Sequence, residues 1–345
     1  MSFSSTYPSR ALPSWLGFMC VLVIAMVIVG GATRLTHSGL SITQWKPITG
    51  ALPPLNLEQW NAEFALYKRI PQFMADNPDM NLAEFKGIYF WEWTHRQLGR
   101  FIGLAFALPF FILLARKKLP RGRTLKLWSV LFLIGLQGAI GWWMVKSGLS
   151  GDATSVSQYR LAIHLGMAFI ILGLLFTLFL DSLSGWPGGR KYRLRLRSLA
   201  LLGLIYAQII AGAFVAGTDG GKTYNTWPAM DGGFVPSGYL TMNPAWKNLF
   251  ENIAAIQFNH RLLAYIILIA ALALWLKARG DRQRKFTSRI AFWLMMSIIW
   301  QAGLGIWTLV SVAPLHLSLA HQASSIGVFL IAVWLTWTTC AVATR

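Results

Sequence analysis

Eight apolar runs divide this chain, and they limit its possible folds more than any other feature. A hydrocarbon core about 30 Å thick takes about 20 residues of helix to cross. Lipid offers no partner to a backbone N–H or C=O, so a crossing segment must close its own hydrogen bonds, as a helix or within a closed barrel. The runs lie at 13–33, 94–115, 126–145, 160–181, 197–217, 257–277, 290–311 and 318–341. Each is about twice as long as a barrel strand. The expectation is an all-α polytopic membrane protein with eight transmembrane helices. Only 12% of the 345 residues are charged, which leaves no room for a large soluble domain.

The formal net charge of +19 would suit a nucleic-acid binder, but its placement does not. Basic residues crowd Arg10, the segments 116–126, 190–197 and 277–289, and Arg345, where only Asp181 and Asp281 oppose them. That pattern is the topogenic charge of short cytoplasmic loops. It places both termini on the cytoplasmic side and predicts no nucleic-acid partner. The long loops, 34–93 and 218–256, fall on the other side. Both mix Trp, Pro and Gly, which suits caps lying on the lipid headgroups, each with one or two short helices such as Leu57 to Tyr67. Cys20 and Cys340 sit in apolar runs near opposite ends. They predict no disulfide framework, no zinc site and no CxxCH attachment, so any haem is held non-covalently. The stretch before Trp15 is short and poor in Arg for a transit peptide, and the run after it lacks a good cleavage site. It is expected to stay as the first helix, in a bacterial inner membrane rather than a mitochondrial one.

The chain looks duplicated. Thr94-His95-Arg96-x-Leu98 returns as Asn259-His260-Arg261-x-Leu263, and Gln137-Gly138-Ala139-Ile140-Gly141-x-Trp143 as Gln301-Ala302-Gly303-Leu304-Gly305-x-Trp307. Leu161-Ala162-x-His164 returns, one residue shorter, as Leu319-Ala320-His321. Two pseudo-symmetric four-helix bundles, 1–185 and 186–345, follow from this. With an even number of helices in each copy, the repeat is parallel.

Four of the six histidines fall at matching places. His95 and His260 open the second and sixth spans, and His164 and His321 open the fourth and eighth. Two imidazoles on two helices at one depth suit axial ligation of a haem iron, and a four-helix bundle can cage a flat cofactor. A redox metal without porphyrin has few acidic or thiolate co-ligands here. A lone histidine at a helix mouth is more often interfacial, but two pairs repeated with their arginines favour metal binding. Arg96, Arg100 and Arg261 stand where anionic propionates would meet the membrane edge. His37 and His316 lack repeat partners and are expected to be solvated or capping residues.

Glu92 breaks the symmetry, because Gln257 holds its place before His260. Residues at i and i+3 share a helix face, so Glu92 and His95 point into one bundle. Glu92 is either a hydrogen-bonded structural residue, for instance a partner of Arg96, or a catalytic group beside a haem that is acted upon. On the second reading the two sites have diverged, one holding a permanent redox haem and the other a substrate.

These residues lie within the segments 30–54, 84–100, 137–149, 217–232, 258–265, 301–310 and 319–322, which together resemble the haem A synthase family shared by proteobacteria and mitochondria. The resemblance implies oxidation of the C8 methyl of haem O to a formyl group by successive hydroxylation, with loss of water from the diol. It implies haem b on His260 and His321 in the C-terminal bundle. It also implies a haem O site at His95 and His164 in the N-terminal bundle, with Glu92 as the catalytic carboxylate. A haem O synthase (a farnesyltransferase) upstream, cytochrome oxidase downstream and an electron acceptor that no residue identifies are the implied partners, beside membrane lipid. Some bacterial members carry cysteine pairs in the long loops; this chain resembles the cysteine-free branch. Two rival classes stand against this. A di-haem electron-transfer cytochrome explains the histidines but not the lone Glu92. A transporter would place its polar sites near the midplane on broken helices.

Overall fold

The computed structural model describes residues 11–119, 122–184, 194–280 and 285–340. Arg10, Arg121, Arg190, Lys191, Arg193, Asp281, Arg282, Arg284 and Arg345, on which part of the charge reading rests, lie outside the described residues, as does the boundary between 185 and 186. Among the described residues the long elements are helices α1 (Ala11–Leu35), α4 (Leu82–Ala115), α5 (Thr124–Gly148), α6 (Gln158–Ser184), α7 (Arg195–Gly217), α8 (Ile253–Arg279), α9 (Lys285–Val310) and α10 (Leu315–Cys340). All eight are long and apolar enough to cross a membrane. The first long loop carries the short helices α2 (Leu57–Tyr67) and α3 (Pro71–Asp76). The second long loop carries only 3-10 turns, at Gly220–Lys222 and Ala245–Leu249.

One boundary moves enough to matter. Helix α4 begins at Leu82, well before the apolar run at 94. The Asn81 side chain accepts from the Ala83 and Glu84 amides at 2.8 and 3.1 Å, and Glu84 accepts from the Asn81 amide at 2.9 Å. This reciprocal capping box starts the helix in polar sequence. Glu92 and His95 therefore lie in the helix interior, about three turns from its start, and not at its mouth.

Helix α4 also contains Pro109. Proline has no N–H for the carbonyl four residues back, which is that of Ala105. The Trp15 indole N–H of α1 donates to that carbonyl at 2.9 Å. A backbone group that lipid could not satisfy is thus used to join two helices. Trp15→Phe should lower unfolding stability in detergent by about 1–3 kcal/mol, the usual cost of an orphaned buried acceptor. In a Pro109→Ala background, where a helical N–H serves Ala105, the same substitution should cost clearly less. Equal costs in the two backgrounds would contradict the pairing.

Large apolar side chains face both ways. Leu16, Met19, Phe106, Phe110, Phe169 and Leu172 are fully buried in one core. Leu104, Leu108, Phe132, Ile269, Trp293 and Trp300 are exposed on the outer surface. An apolar exterior over an apolar core is what a lipid solvent selects.

Helices α1, α4, α5 and α6 pack as one closed ring of four, and α7, α8, α9 and α10 as another. The rings meet where α6 contacts α7 and α10, and where α1 contacts α10. Phe169 and Phe329 cross edge to face at this seam, with ring centres 5.1 Å apart. Near the long loops, Arg34 of α1 donates to the Ala216 carbonyl at 2.9 Å and pairs with Asp219 at 3.2 Å. The Gln322 amide of α10 donates to the Val27 carbonyl of α1 at 2.8 Å and lies against Gly31. At the opposite end the buried Asp181 accepts from the Trp337 indole at 2.8 Å, and its carbonyl accepts from Arg123 at 2.7 Å. That residue, counted in the sequence among the loop charges, fastens α5, α6 and α10 together.

Candidate functional site

The structure brings His95 of α4 and His164 of α6 together across the first ring. Their imidazole centres are 6.4 Å apart, with planes at 82°. An imidazole nitrogen binds a first-row metal at about 2 Å, which puts two rings sharing one metal roughly 6 Å apart, centre to centre. The spacing fits. Among the described residues no group of three or more His, Cys, Asp or Glu side chains stands together. Two imidazoles at this spacing would suit a metal that brings its own equatorial donors, as a porphyrin does.

Each histidine leans on a glycine of a neighbouring helix. A Cβ on Gly30 of α1 would stand 3.1 Å from His95 Nε2, and one on Gly141 of α5 would stand 2.9 Å from His164 Cε1. The second ring repeats this. Gly212 of α7 faces His260 Cε1 at 3.2 Å, and Gly305 of α9 faces His321 Cε1 at 2.8 Å. Four imidazoles therefore sit in four glycine-lined clefts, which a Cβ would crowd most at Gly141 and Gly305. Gly141 and Gly305 stood in the repeated sequence motif, but their role did not. Gly30 and Gly212 had no visible motif. Gly305→Ala should shift His321 and weaken whatever it ligates. Gly303→Ala, whose Cβ would meet nothing within 4 Å, should leave that site unchanged and the helix slightly more stable. Comparing the haem absorption of the two variants checks this; equal spectra would remove the cleft from the account.

Next to His95, Glu92 is almost wholly buried, 2% exposed. One carboxylate oxygen accepts from the Ser41 hydroxyl and the Ile42 amide, both at 2.8 Å. The other accepts from Arg96 Nε at 3.1 Å and Nη2 at 2.6 Å. Arg96 also donates to the carbonyls of Ile42 at 2.9 Å and Gln44 at 3.4 Å. The pair thus clamps the chain leaving α1 onto α4. In the second ring Gln257 accepts from Arg261 at 2.7 Å but donates to the Gly220 and Thr223 carbonyls, at 2.7 and 2.6 Å. Arg261 donates to the carbonyls of Tyr224 at 2.7 Å and Thr226 at 2.9 Å. The two clamps share one layout with opposite polarity. The first loop offers donors to a carboxylate; the second offers acceptors to an amide.

Arg100 completes the set, donating to the carbonyls of Lys46 and Pro47 at 3.0 and 3.1 Å. The three arginines expected at propionates spend most of their donors on loop carbonyls. Two buried donors remain without partners, Arg100 Nη1 and Arg261 Nε, one in each half. They are the groups open to an anionic substituent.

His37 and His316 stay apart from both pairs. His37 follows α1 in a left-handed conformation, φ 54°, and its carbonyl accepts from Gln72 at 3.2 Å. Burial and the nearby Arg34 lower its pKa from the ordinary value. His316 is exposed in the first turn of α10.

The sequence pattern of a family described as cytochrome oxidase assembly protein matches residues 13–333. Among curated relatives, "Heme A synthase" of Parvibaculum lavamentivorans is 48% identical over 325 residues, covering 94% of this chain and 93% of its own. "Heme A synthase" of Maricaulis maris is 48% identical over 341 residues, 98% of each chain. The protein of the same name from Azorhizobium caulinodans is 51% identical over 331 residues, 94% and 93% of the two chains.

Proposed function

The chain belongs to the cytochrome oxidase assembly protein family, and on that premise we propose that it acts as a haem A synthase, an oxidoreductase that converts the C8 methyl of haem O to a formyl group. The observation that carries the reading is the pair of histidine sites in which a buried carboxylate, Glu92, stands on one side only, with Gln257 in its place on the other. A protein that only passed electrons between two haems would have no use for that difference.

In this reading residues 1–185 form the substrate half and 186–345 the cofactor half. His95 and His164 hold haem O, and His260 and His321 hold a resident haem b. When bound, the haem b supplies one-electron transfer toward an acceptor outside the chain. Arg100 and Arg261, each with a free buried donor, hold the propionates. Each hydroxylation replaces a methyl C–H by C–OH with water as the oxygen source and releases two protons and two electrons. The electrons leave to that outside acceptor, and Glu92 takes up one of the protons or steadies positive charge at the carbon. Its contacts to Ser41, Ile42 and Arg96 fix both oxygens, so the carboxylate is positioned before substrate arrives. The glycine clefts set the imidazole directions. The farnesyltransferase that makes haem O lies upstream and cytochrome oxidase downstream. The basic short loops favour an orientation with both termini on the cytoplasmic side of the membrane.

The rival di-haem cytochrome differs in stoichiometry. Protein purified from a host that makes no haem O should carry one protohaem per chain by pyridine haemochrome assay. Two firmly held protohaems per chain would favour the electron-transfer class.

A further inference from the structure

Three of the four paired histidines are tied by a glutamine, and one is not. The Gln137 amide of α5 donates to the His164 carbonyl at 3.0 Å. The Gln301 amide of α9 donates to the His321 carbonyl at 2.9 Å and lies 3.1 Å from its Nδ1. The Gln208 amide of α7 donates to the His260 carbonyl at 3.0 Å and lies 3.2 and 3.3 Å from its two ring nitrogens. Among the described residues no such amide reaches His95.

The residue that takes this place follows from the repeat. The register that lays Gly30 on Gly212 also lays Thr36 on Thr218, whose hydroxyls cap the carbonyls of Ala32 and Phe214. It lays His37 on Asp219, both left-handed at φ 54° and 51°. It lays Ile42 on Tyr224, whose carbonyls receive Arg96 and Arg261. In that register Met26 stands where Gln208 stands. Its terminal methyl fills the space beside Gly99.

A helical carbonyl accepts one bond from the N–H four residues on and keeps a second lone pair. A glutamine that fills the lone pair fixes the ligand's backbone and packs beside its ring. Its NH₂ is a donor and does not accept the N–H that a neutral metal-bound imidazole keeps on its second nitrogen. Loss of a group that orients a metal ligand costs about 10–100-fold in affinity. A thioether offers neither donor nor rigidity.

Resting on the proposed function, we infer that Gln208 is a positioning residue for haem retention: it locks His260 so that the C-terminal site keeps its haem. Met26 leaves His95 untied so that the N-terminal site can release one. A synthase needs this asymmetry, because a product held as firmly as a cofactor would never leave.

The test uses purified full-length holoprotein and excess apomyoglobin as the haem trap. Gln208→Met should release protohaem about tenfold faster or more. Met26→Gln should gain a second, slowly released protohaem, raising the content above one per chain. A structural lesion does not increase haem retention, so this gain separates positioning from general damage. It also stands if Gln208→Met fails to fold. Release at the wild-type rate from a folded Gln208→Met, or unchanged content in Met26→Gln, overturns the inference. Wild-type protein that carries no protohaem would overturn the functional reading beneath it as well.

Discussion

Glu92→Gln is expected to abolish formyl haem, with a loss of at least about 10²-fold, the lower range for a positioned proton-transfer group. The resident haem should stay bound at full content. The expectation rests on separation: Glu92 belongs to the first ring, and its bonds run to Ser41, Ile42 and Arg96 without reaching His260 or His321. The substitution also has a structural side. Both Glu92 oxygens face donors, so the glutamine NH₂ must meet either Arg96 or the Ser41–Ile42 pair. Part of the loop clamp is therefore lost along with the charge. Ser41→Ala separates the two effects. It removes one hydrogen bond, worth about 1 kcal/mol net, and keeps the carboxylate. If clamping alone mattered, Ser41→Ala would lose much of the activity. The account expects only a several-fold decline, measured as haem A formed per chain.

The second large effect is on haem content. His260→Ala and His321→Ala should each lose the resident protohaem almost completely, because a two-ligand site that loses one imidazole has no third protein group to replace it among the described residues. His95→Ala and His164→Ala should keep that haem and lose turnover. Optical spectra of the four purified variants decide this. Protohaem retained in both C-terminal variants, or lost in both N-terminal ones, would reverse the assignment of the halves.

Much of this was legible in the residues. Apolar length alone located eight helices, because lipid forbids any other use of such runs. The repeated His-Arg and Gln-x-x-x-Gly motifs paired the histidines before any distance was known. The start of α4 was misplaced. Hydropathy marks where a helix enters lipid, whereas the Asn81–Glu84 capping box marks where it begins, in polar sequence. The arginines were legible as a group, and the pairing of Arg96 with Glu92 as one option, but their bonds to the loops were not. Arg96 and Arg261 are held by carbonyls of the chain leaving α1 and α7, and backbone acceptors leave no trace in residue identity. The role of Gly30 and Gly212 was hidden for a related reason. A glycine against an imidazole on another helix looks, in sequence, like any small residue in a membrane span. Glu92 was the reverse case. Its place on the His95 face followed from helical spacing and its difference from Gln257 from the repeat, but the matching change of loop polarity, donors at Ser41 and Ile42 against acceptors at Gly220 and Thr223, needed the structure.

The most direct measurement co-expresses this chain with a haem O synthase in a host that makes no haem A, and identifies the acid-extracted haems. The account predicts a formyl haem that appears with the wild-type chain and is missing with Glu92→Gln. Protohaem and haem O alone, with the wild-type chain present in the membrane and carrying its resident haem, would contradict it.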